Sequence, residues 1–251
     1  MIDRRLLLAG GLALAASPVL AQSGVGDASV AATGKLKARP LPLRTKAPLA
    51  PGIHTLGLDE RDAWLVVPEG IQPNEPVPLI VNFHGKGERA NETLGDWRRH
   101  AARAKALLLA PQSRGHTWEI PSMPLGADAQ FVDRAIARVF EHFAVNPQKI
   151  AAASFSDGGT MALSCGMVNG DFFAHILAHA PIRFHAPNAV GLPKIFIANG
   201  ERDPGAPYAT ARSLVRQLQG FGYDVEFYGF KGGHQIDQGA VRAAMKRFLE
   251  S

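Results

Sequence analysis

Apolar runs alternate with longer mixed segments along most of this chain. Two short β-like runs, 52–58 and 63–68, come first, and a run at 223–230 comes last. Between them lie five nearly continuous apolar runs: PLIVNF (78–83), LLLAP (107–111), KIAAAS (149–154), FFAHILAH (172–179) and PKIFIANG (193–200). Short apolar runs without polar alternation predict strands that are buried on both faces of a sheet.

The segments between these runs are predicted to be helices. The clearest spans 128–143, where DAQFVDRAIARVFEHF places apolar residues three and four positions apart. Further helices are predicted at 93–105, 157–168, 208–219 and 237–249. Strands that alternate with helices predict an α/β fold, with a mostly parallel central sheet and helices on both faces. Because ligands of such sheets bind at the carboxyl ends of the strands, the chemistry is expected in the loops that follow them.

The first 21 residues have the pattern of an export signal. Arg4 and Arg5 precede an apolar run rich in Gly and Ala, which ends in small residues near Ala21. The run is too short to cross a bilayer comfortably, although an uncleaved anchor is the alternative. Paired arginines favour the twin-arginine route to the periplasm or the medium, with the ordinary secretory route as the alternative. We therefore predict an export signal at 1–21, an extended lead-in at 22–51 and one α/β domain at 52–251.

Composition narrows the classes of function without identifying one. With 251 residues and 46% hydrophobic content, the chain is long enough to bury a single large core. The formal net charge is +5, but Lys and Arg are scattered and no nucleic-acid motif accompanies them, so no nucleic-acid partner is expected. Cys165, the one cysteine, cannot form an intrachain disulfide, and its apolar surroundings predict a position in the core.

The segment SFSDGG (154–159) lies where a predicted strand meets a predicted helix. Ser156 has a small residue two positions before it and a glycine two positions after it, which is the pattern of a nucleophile elbow. The tight turn requires small flanking residues, and the start of the helix favours negative charge that develops beside the hydroxyl. A serine that only caps the helix is the alternative. The strand-turn-helix context favours Ser156 as a nucleophile.

A serine nucleophile needs a base, and the base needs an acid that orients it. Among nine histidines, the preferred base is His234, which is flanked by glycines in FKGGHQ and follows the last predicted strand. The preferred acid is Asp203 in the turn-rich segment ANGERDPGAP, with Glu201 and Asp224 as competitors. The order Ser156, Asp203, His234 along the chain is that of the α/β-hydrolases.

Attack on a carbonyl also requires hydrogen-bond donors for the oxyanion that forms. The N–H of Asp157, directly after the nucleophile, is one candidate donor. The other is the N–H of Lys86 in the turn HGKG, with Gly85 N–H in reserve. The Asp157 carboxylate must then point away from the oxyanion, toward a partner that the sequence does not identify.

From about residue 78 to the C-terminus, the chain resembles the α/β-hydrolase superfamily. Within it, the chain is similar to small esterases of the phospholipase/carboxylesterase-like and polyhydroxybutyrate-depolymerase-like branches. Five segments carry the resemblance: VNFHGKGE, LLLAPQSRGHTWE, FSDGGTMALSCGMVNGDFF, IANGERDPGAP and YGFKGGHQI. The chain departs from the family pattern at Ser154, where glycine is usual, in the polar GKGE after His84, and in HAPIRFHAP (179–187).

The resemblance implies a serine esterase with the α/β-hydrolase fold and without a metal or cofactor. It assigns Ser156 as the nucleophile, His234 as general base and acid, and Asp203 as the residue that orients His234. The backbone N–H groups of Lys86 and Asp157 are the implied oxyanion donors.

The expected substrate is a small-molecule ester or the end of an esterified polymer. No large insertion separates the runs 172–179 and 193–200, where hydrolases often carry a lid, so an open site without a lid domain is expected. Trp118 follows LLLAP and is predicted either to wall the substrate site or to pack in the core. A serine peptidase on the same scaffold and a non-catalytic binding protein with this fold are the alternatives.

Overall fold

The computed structural model describes residues 27–72, 75–119 and 126–250, and the predicted export signal lies outside these ranges. The described residues form eight strands: β1 (Gly52–Thr55), β2 (Ala63–Val67), β3 (Val77–Phe83), β4 (Leu107–Pro111), β5 (Val145–Phe155), β6 (His175–His179), β7 (Lys194–Gly200) and β8 (Val225–Phe230). They also form six helices: α1 (Ala28–Thr33), α2 (Leu94–Arg103), α3 (Gly126–His142), α4 (Asp157–Val168), α5 (Tyr208–Gly220) and α6 (Gln238–Glu250). Over the same ranges, no helix has the length and apolar character that a membrane crossing requires.

The strands form one sheet in the order β1-β2-β4-β3-β5-β6-β7-β8. The six strands from β4 to β8 in this order are all parallel to one another. Strand β2 runs antiparallel to both β1 and β4. Apolar side chains of α1, α3, α4 and α5 pack against one face, and those of α2 and α6 pack against the other. The prediction of a mostly parallel sheet with helices on both faces is confirmed.

Parallel pairing places the carboxyl ends of β3, β4, β5, β7 and β8 at one edge of the sheet. The loops that follow these strands carry every residue that the sequence proposes for the site. The connection between β6 and β7, residues 180–193, contains neither helix nor strand. The topology therefore gathers five distant segments of the chain at one edge.

The lead-in differs from the extended segment predicted for 22–51. Helix α1 begins after Asp27, which caps it with its side chain, and ends at Gly34 in a left-handed conformation. Leu36 is buried, and its N–H donates a hydrogen bond to Asn169 Oδ1 at 2.8 Å. A six-residue helix is too short to give a periodic pattern, and contacts with distant residues stabilise it, so the expectation of no helix here was wrong.

Candidate active site

Ser156 lies between β5 and α4 in a strained backbone conformation, with φ 56° and ψ −121°. Residues other than glycine rarely adopt a positive φ, so the surrounding backbone must hold the turn. The Ser156 N–H donates to the carbonyl oxygen of His179 at 2.9 Å, and the Ser156 carbonyl accepts the N–H of Gly159 at 2.8 Å. These bonds tie the turn to β6 and to the first turn of α4, and the hydroxyl is presented at the carboxyl edge of the sheet.

Close packing explains the small residues of SFSDGG. A Cβ atom on Gly158 would overlap the carbonyl oxygen of Phe83 at the end of β3, and it would lie 2.6 Å from that of His84. Glycine alone fits so near to another backbone. Ser154, which replaces the usual glycine, is buried, and its hydroxyl donates to the carbonyl oxygen of Leu177 at 3.3 Å. A small hydroxyl side chain is therefore accommodated at this position.

His234 and Asp203 meet Ser156 at this edge. His234 Nε2 lies 2.8 Å from Ser156 Oγ, and His234 Nδ1 lies 2.8 Å and 2.9 Å from the two carboxylate oxygens of Asp203. Asp203 Oδ1 also accepts the N–H groups of Gly205 and Ala206 at 2.8 Å and 2.7 Å. In this geometry an Nδ1–H of His234 points at the carboxylate, and Nε2 can accept the serine hydroxyl.

The competing acids lie elsewhere. Glu201 is exposed on the turn after β7, whereas the Asp203 side chain is almost fully buried. Asp224 pairs with Arg247, with 2.7 Å between Oδ1 and Nη2. The geometry therefore favours Asp203 as the partner of His234.

The two proposed oxyanion donors have no hydrogen-bond acceptor within the described ranges. Neither the Lys86 N–H nor the Asp157 N–H donates a hydrogen bond there. By contrast, the Gly85 N–H donates to Glu88 Oε2 at 2.6 Å, so the reserve donor is engaged. Lys86 and Asp157 thus keep N–H groups that a substrate oxygen could use.

The side chain of His84 fixes the peptide that carries the Lys86 N–H. His84 Nε2 faces the N–H of Ser113 at 3.1 Å, so Nε2 must be an acceptor and Nδ1 must carry the proton. Nδ1–H then donates to the carbonyl oxygen of Gly85 at 2.7 Å. In a trans peptide the C=O and the next N–H point in opposite directions, so this bond turns the Lys86 N–H away from His84. Burial lowers the pKa of His84, which keeps the imidazole neutral.

The partner of the Asp157 carboxylate is a threonine. The Thr117 hydroxyl donates to Asp157 Oδ2 at 2.8 Å, from the loop that follows β4. The carboxylate also lies in the first turn of α4, where the helix dipole favours negative charge. The Thr117 hydroxyl is thus the partner that the sequence did not identify.

Trp118 packs in the core instead of forming a wall of the site. Its side chain is 1% exposed, and its ring meets Phe83 edge-on with 5.2 Å between ring centroids. The indole N–H donates to the carbonyl oxygen of His84 at 2.8 Å. The prediction that Trp118 contacts substrate is corrected: a buried indole has no surface to offer, and it supports the turn 84–87 from below.

Two residues that shape the site were not predicted from the sequence. They are His84, which precedes the polar segment GKGE, and Thr117, which lies in the loop after LLLAP. Both follow buried strands at the carboxyl edge, and that position is the one sequence signal that could have identified them.

Known proteins resemble this chain both in sequence and in fold. No family profile matches the chain. It is 27% identical to feruloyl esterase C of Emericella nidulans over 212 residues, which cover 70% of this chain and 77% of that protein. It is 26% identical to a probable feruloyl esterase C of Aspergillus flavus over 220 residues, covering 74% and 80%.

Solved structures give the same fold. A phospholipase/carboxylesterase from Dyadobacter fermentans superposes with a TM-score of 0.59 at 18% identity, over 82% of this chain and all of that one. Esterase PE8 superposes with a TM-score of 0.61 at 19% identity, over 74% of this chain and 96% of that one. The predicted α/β-hydrolase fold is confirmed. Together with the feruloyl esterase relatives, this fold supports a carboxylic-ester hydrolase.

Proposed function

We propose that the chain hydrolyses esters through an acyl-enzyme in which Ser156 is the nucleophile, His234 the general base and acid, and Asp203 the group that orients His234. The observation that carries this proposal is the continuous chain of hydrogen bonds from Asp203 through both ring nitrogens of His234 to Ser156 Oγ. A hydroxyl that donates to a neutral imidazole is the arrangement that nucleophilic attack requires.

The reaction runs in two similar halves. His234 Nε2 takes the Ser156 proton as Oγ attacks the ester carbonyl, and the imidazolium that forms is stabilised by Asp203. The imidazolium then protonates the departing alcohol, which leaves an acyl group on Ser156. Water, deprotonated by His234, attacks this acyl group, and the acid and free serine are released.

The N–H groups of Lys86 and Asp157 are the proposed oxyanion donors in both halves. Their support is that neither donates elsewhere in the described chain, while the alternative at Gly85 is engaged by Glu88. Donors held in place before the reaction stabilise the developing charge without reorganisation. This is where most of the rate enhancement is expected to arise.

The proposed substrates are small or chain-end esters, including esters of aromatic acids. Relatives named as feruloyl esterases favour the aromatic class. The connection 180–193 has no helix or strand that would form a lid, which favours an open site. We also propose that residues 1–21 direct export, by the twin-arginine route, to the periplasm or the medium.

The test is hydrolysis of a chromogenic short-chain ester and of methyl ferulate by the chain beginning at residue 22. Ser156→Ala is expected to lower kcat by about 10⁴-fold or more, because the remaining members of such a triad do little alone. Ser213→Ala, which removes an exposed hydroxyl of α5, is the matched control and should leave kcat unchanged.

A fluorophosphonate probe separates an enzyme from a binding protein with the same fold. Covalent labelling of the wild type, and none of Ser156→Ala, is expected. Folded wild-type protein that neither reacts with the probe nor releases chromophore faster than Ser156→Ala would overturn the proposed function.

A further inference from the structure

The loop after β4, residues 112–119, touches the candidate site at three consecutive residues. The carbonyl oxygen of His116 accepts the N–H of Gly87 at 2.9 Å, beside the proposed oxyanion donor Lys86. The next two residues, Thr117 and Trp118, hold the Asp157 carboxylate and the His84 carbonyl, as described above. This loop therefore contacts the backbone on both sides of the peptide that carries the Lys86 N–H, and it holds the side chain of Asp157.

One buried carboxylate holds both ends of that contact segment. Asp128, in the first turn of α3, is 1% exposed. Its Oδ1 accepts the N–H of Arg114 at 2.6 Å, and its Oδ2 accepts the N–H of Glu119 at 2.7 Å. The three contact residues lie between these two anchors. Both oxygens act as acceptors, which favours the ionised acid, because a protonated oxygen becomes a donor and a weaker acceptor.

The charged groups that act on Asp128 are the carboxylate of Glu119 and the guanidinium of Arg114. The Glu119 carboxylate accepts the N–H of Asp128 at 3.3 Å. The Arg114 guanidinium lies 3.6 Å above the Phe131 ring of α3 and bonds to Asp59 at 3.0 Å. Burial raises the pKa of Asp128 to about 6, the two N–H bonds oppose the rise, and the Glu119 charge adds to it.

We propose that Asp128 is a positioning residue for the oxyanion hole, which acts through the loop 112–119 on the Lys86 and Asp157 peptides. The inference rests on the proposed function, since it assumes that these peptides stabilise the transition state. An amide cannot accept both N–H bonds, and a protonated acid accepts them more weakly than the carboxylate, so one end of the contact segment is loosened. The oxyanion donors then lose support while the Ser156–His234 pair stays in place.

A matched pair of variants on one helix tests this role. Asp128→Asn keeps the shape of the side chain and removes one acceptor. Asp133→Asn is the control for the same substitution on the same helix, because Asp133 Oδ1 accepts the N–H groups of Lys37 and Ala38, at 2.7 Å and 2.8 Å, from the lead-in and not from the loop 112–119. Asp128→Asn is expected to lower kcat about tenfold at pH 8 with KM changed less than about twofold, because misplaced donors weaken only the transition state. Asp133→Asn should keep the wild-type kcat.

The pH profile distinguishes positioning from general destabilisation. The ratio of wild-type to Asp128→Asn kcat cancels any pH dependence that the two proteins share. This ratio should be near ten above pH 7 and should shrink toward one below about pH 6, where wild-type Asp128 is itself protonated. If Asp128→Asn does not fold, Asp128→Ser, which keeps one acceptor in the first helical turn, serves in the same measurement.

Three outcomes would overturn the inference. The first is equal kcat values for wild type and Asp128→Asn at pH 8. The second is a loss of kcat in Asp133→Asn as large as that in Asp128→Asn. The third is a ratio of wild-type to Asp128→Asn kcat that does not change with pH. An active wild type with any of these results leaves the proposed function standing. A wild type without esterase activity or probe labelling overturns the proposed function, and the inference falls with it.

Discussion

On the side of the proposed nucleophile Ser156, which we call the nucleophile side, the backbone itself holds the hydroxyl. The strained turn at Ser156 is bonded to the carbonyl of His179, and Gly158 packs directly on the end of β3. On the oxyanion side, side chains hold the backbone. The peptide before Lys86 is turned by His84, and the loop that supports it is fastened by the carboxylate of Asp128.

The two kinds of support should fail in different ways. A backbone that packs on another backbone leaves no room for a larger residue, so a single added carbon should disrupt the nucleophile side as a whole. Side chains that hold a peptide through hydrogen bonds can be weakened one at a time, so changes on the oxyanion side should give graded losses of kcat. Three substitutions test this contrast, beginning with the largest expected effect.

Gly158→Ala should be the most damaging change. The new Cβ would overlap the Phe83 carbonyl oxygen, and the elbow would have to move away from β3. We expect a loss of about 3 kcal/mol in the free energy of unfolding, as for an overpacked core. In the protein that remains folded, kcat should fall at least about a hundredfold, because Ser156 is displaced from His234. Urea unfolding and ester hydrolysis measure the two effects.

Gly95→Ala is the matched control for this substitution. Gly95 is the second residue of α2, and a Cβ there would meet nothing within 4 Å. Alanine favours a helix over glycine by up to about 1 kcal/mol, so stability should be equal or higher and activity unchanged. An active, fully stable Gly158→Ala would show that the packing of β3 against the elbow does not fix Ser156.

The same contrast explains how much of the site could be predicted from the sequence. The elbow is determined by five adjacent residues, 154–158, whose sizes must fit one turn, and a local rule of this kind can be applied to a sequence alone. Asp203 and His234 could be proposed because both follow predicted strands in a fixed chain order. The parallel sheet could be predicted equally well, since five of its strands are nearly continuous apolar runs.

The support of the oxyanion side could not be predicted in this way. The contacts that fix the tautomer of His84 and hold the Asp157 side chain join residues that are 29 and 40 positions apart in the chain. No local pattern records such pairs, and Trp118, judged by type and loop position, gave two opposite expectations. The sequence does contain a sign of Asp128: it lies on the same predicted helical face as Val132 and Ala135, where an acid is unusual.

His84→Leu should have the second largest effect. Leucine removes the donor that turns the Gly85 carbonyl, so the Lys86 N–H is no longer held in one direction. We expect kcat to fall about thirtyfold, less than the hundredfold or more for a deleted oxyanion donor, with KM nearly unchanged. Steady-state kinetics on a short-chain ester gives both constants.

His84→Asn separates the hydrogen bond from the ring. The amide nitrogen of asparagine can take the place of Nδ1 and donate to the Gly85 carbonyl, although it leaves the Ser113 N–H without its partner. We expect it to recover most of the kcat lost in His84→Leu. If the two variants are equally slow, His84 supports the site through packing, and the side-chain account of the oxyanion peptide is wrong.

Thr117→Val should have the smallest effect of the three. Valine matches threonine in shape, so the change removes only the hydroxyl that binds Asp157 Oδ2. The carboxylate can then turn toward the oxyanion, where two negative charges repel each other. We expect a kcat about fivefold lower, with little change in KM, because the repulsion arises only as charge develops.

Two further variants identify the cause of that loss. Thr117→Ser restores the hydroxyl and should restore kcat, whereas a loss caused by loop packing would persist in it. Adding Asp157→Asn to Thr117→Val removes the charge while keeping the backbone N–H, so kcat should rise again. If the double variant stays as slow as Thr117→Val, the carboxylate is not the source of the loss. The hydroxyl would then act by holding the loop itself, and both ends of the 114–119 segment would matter more than the charge beside the oxyanion.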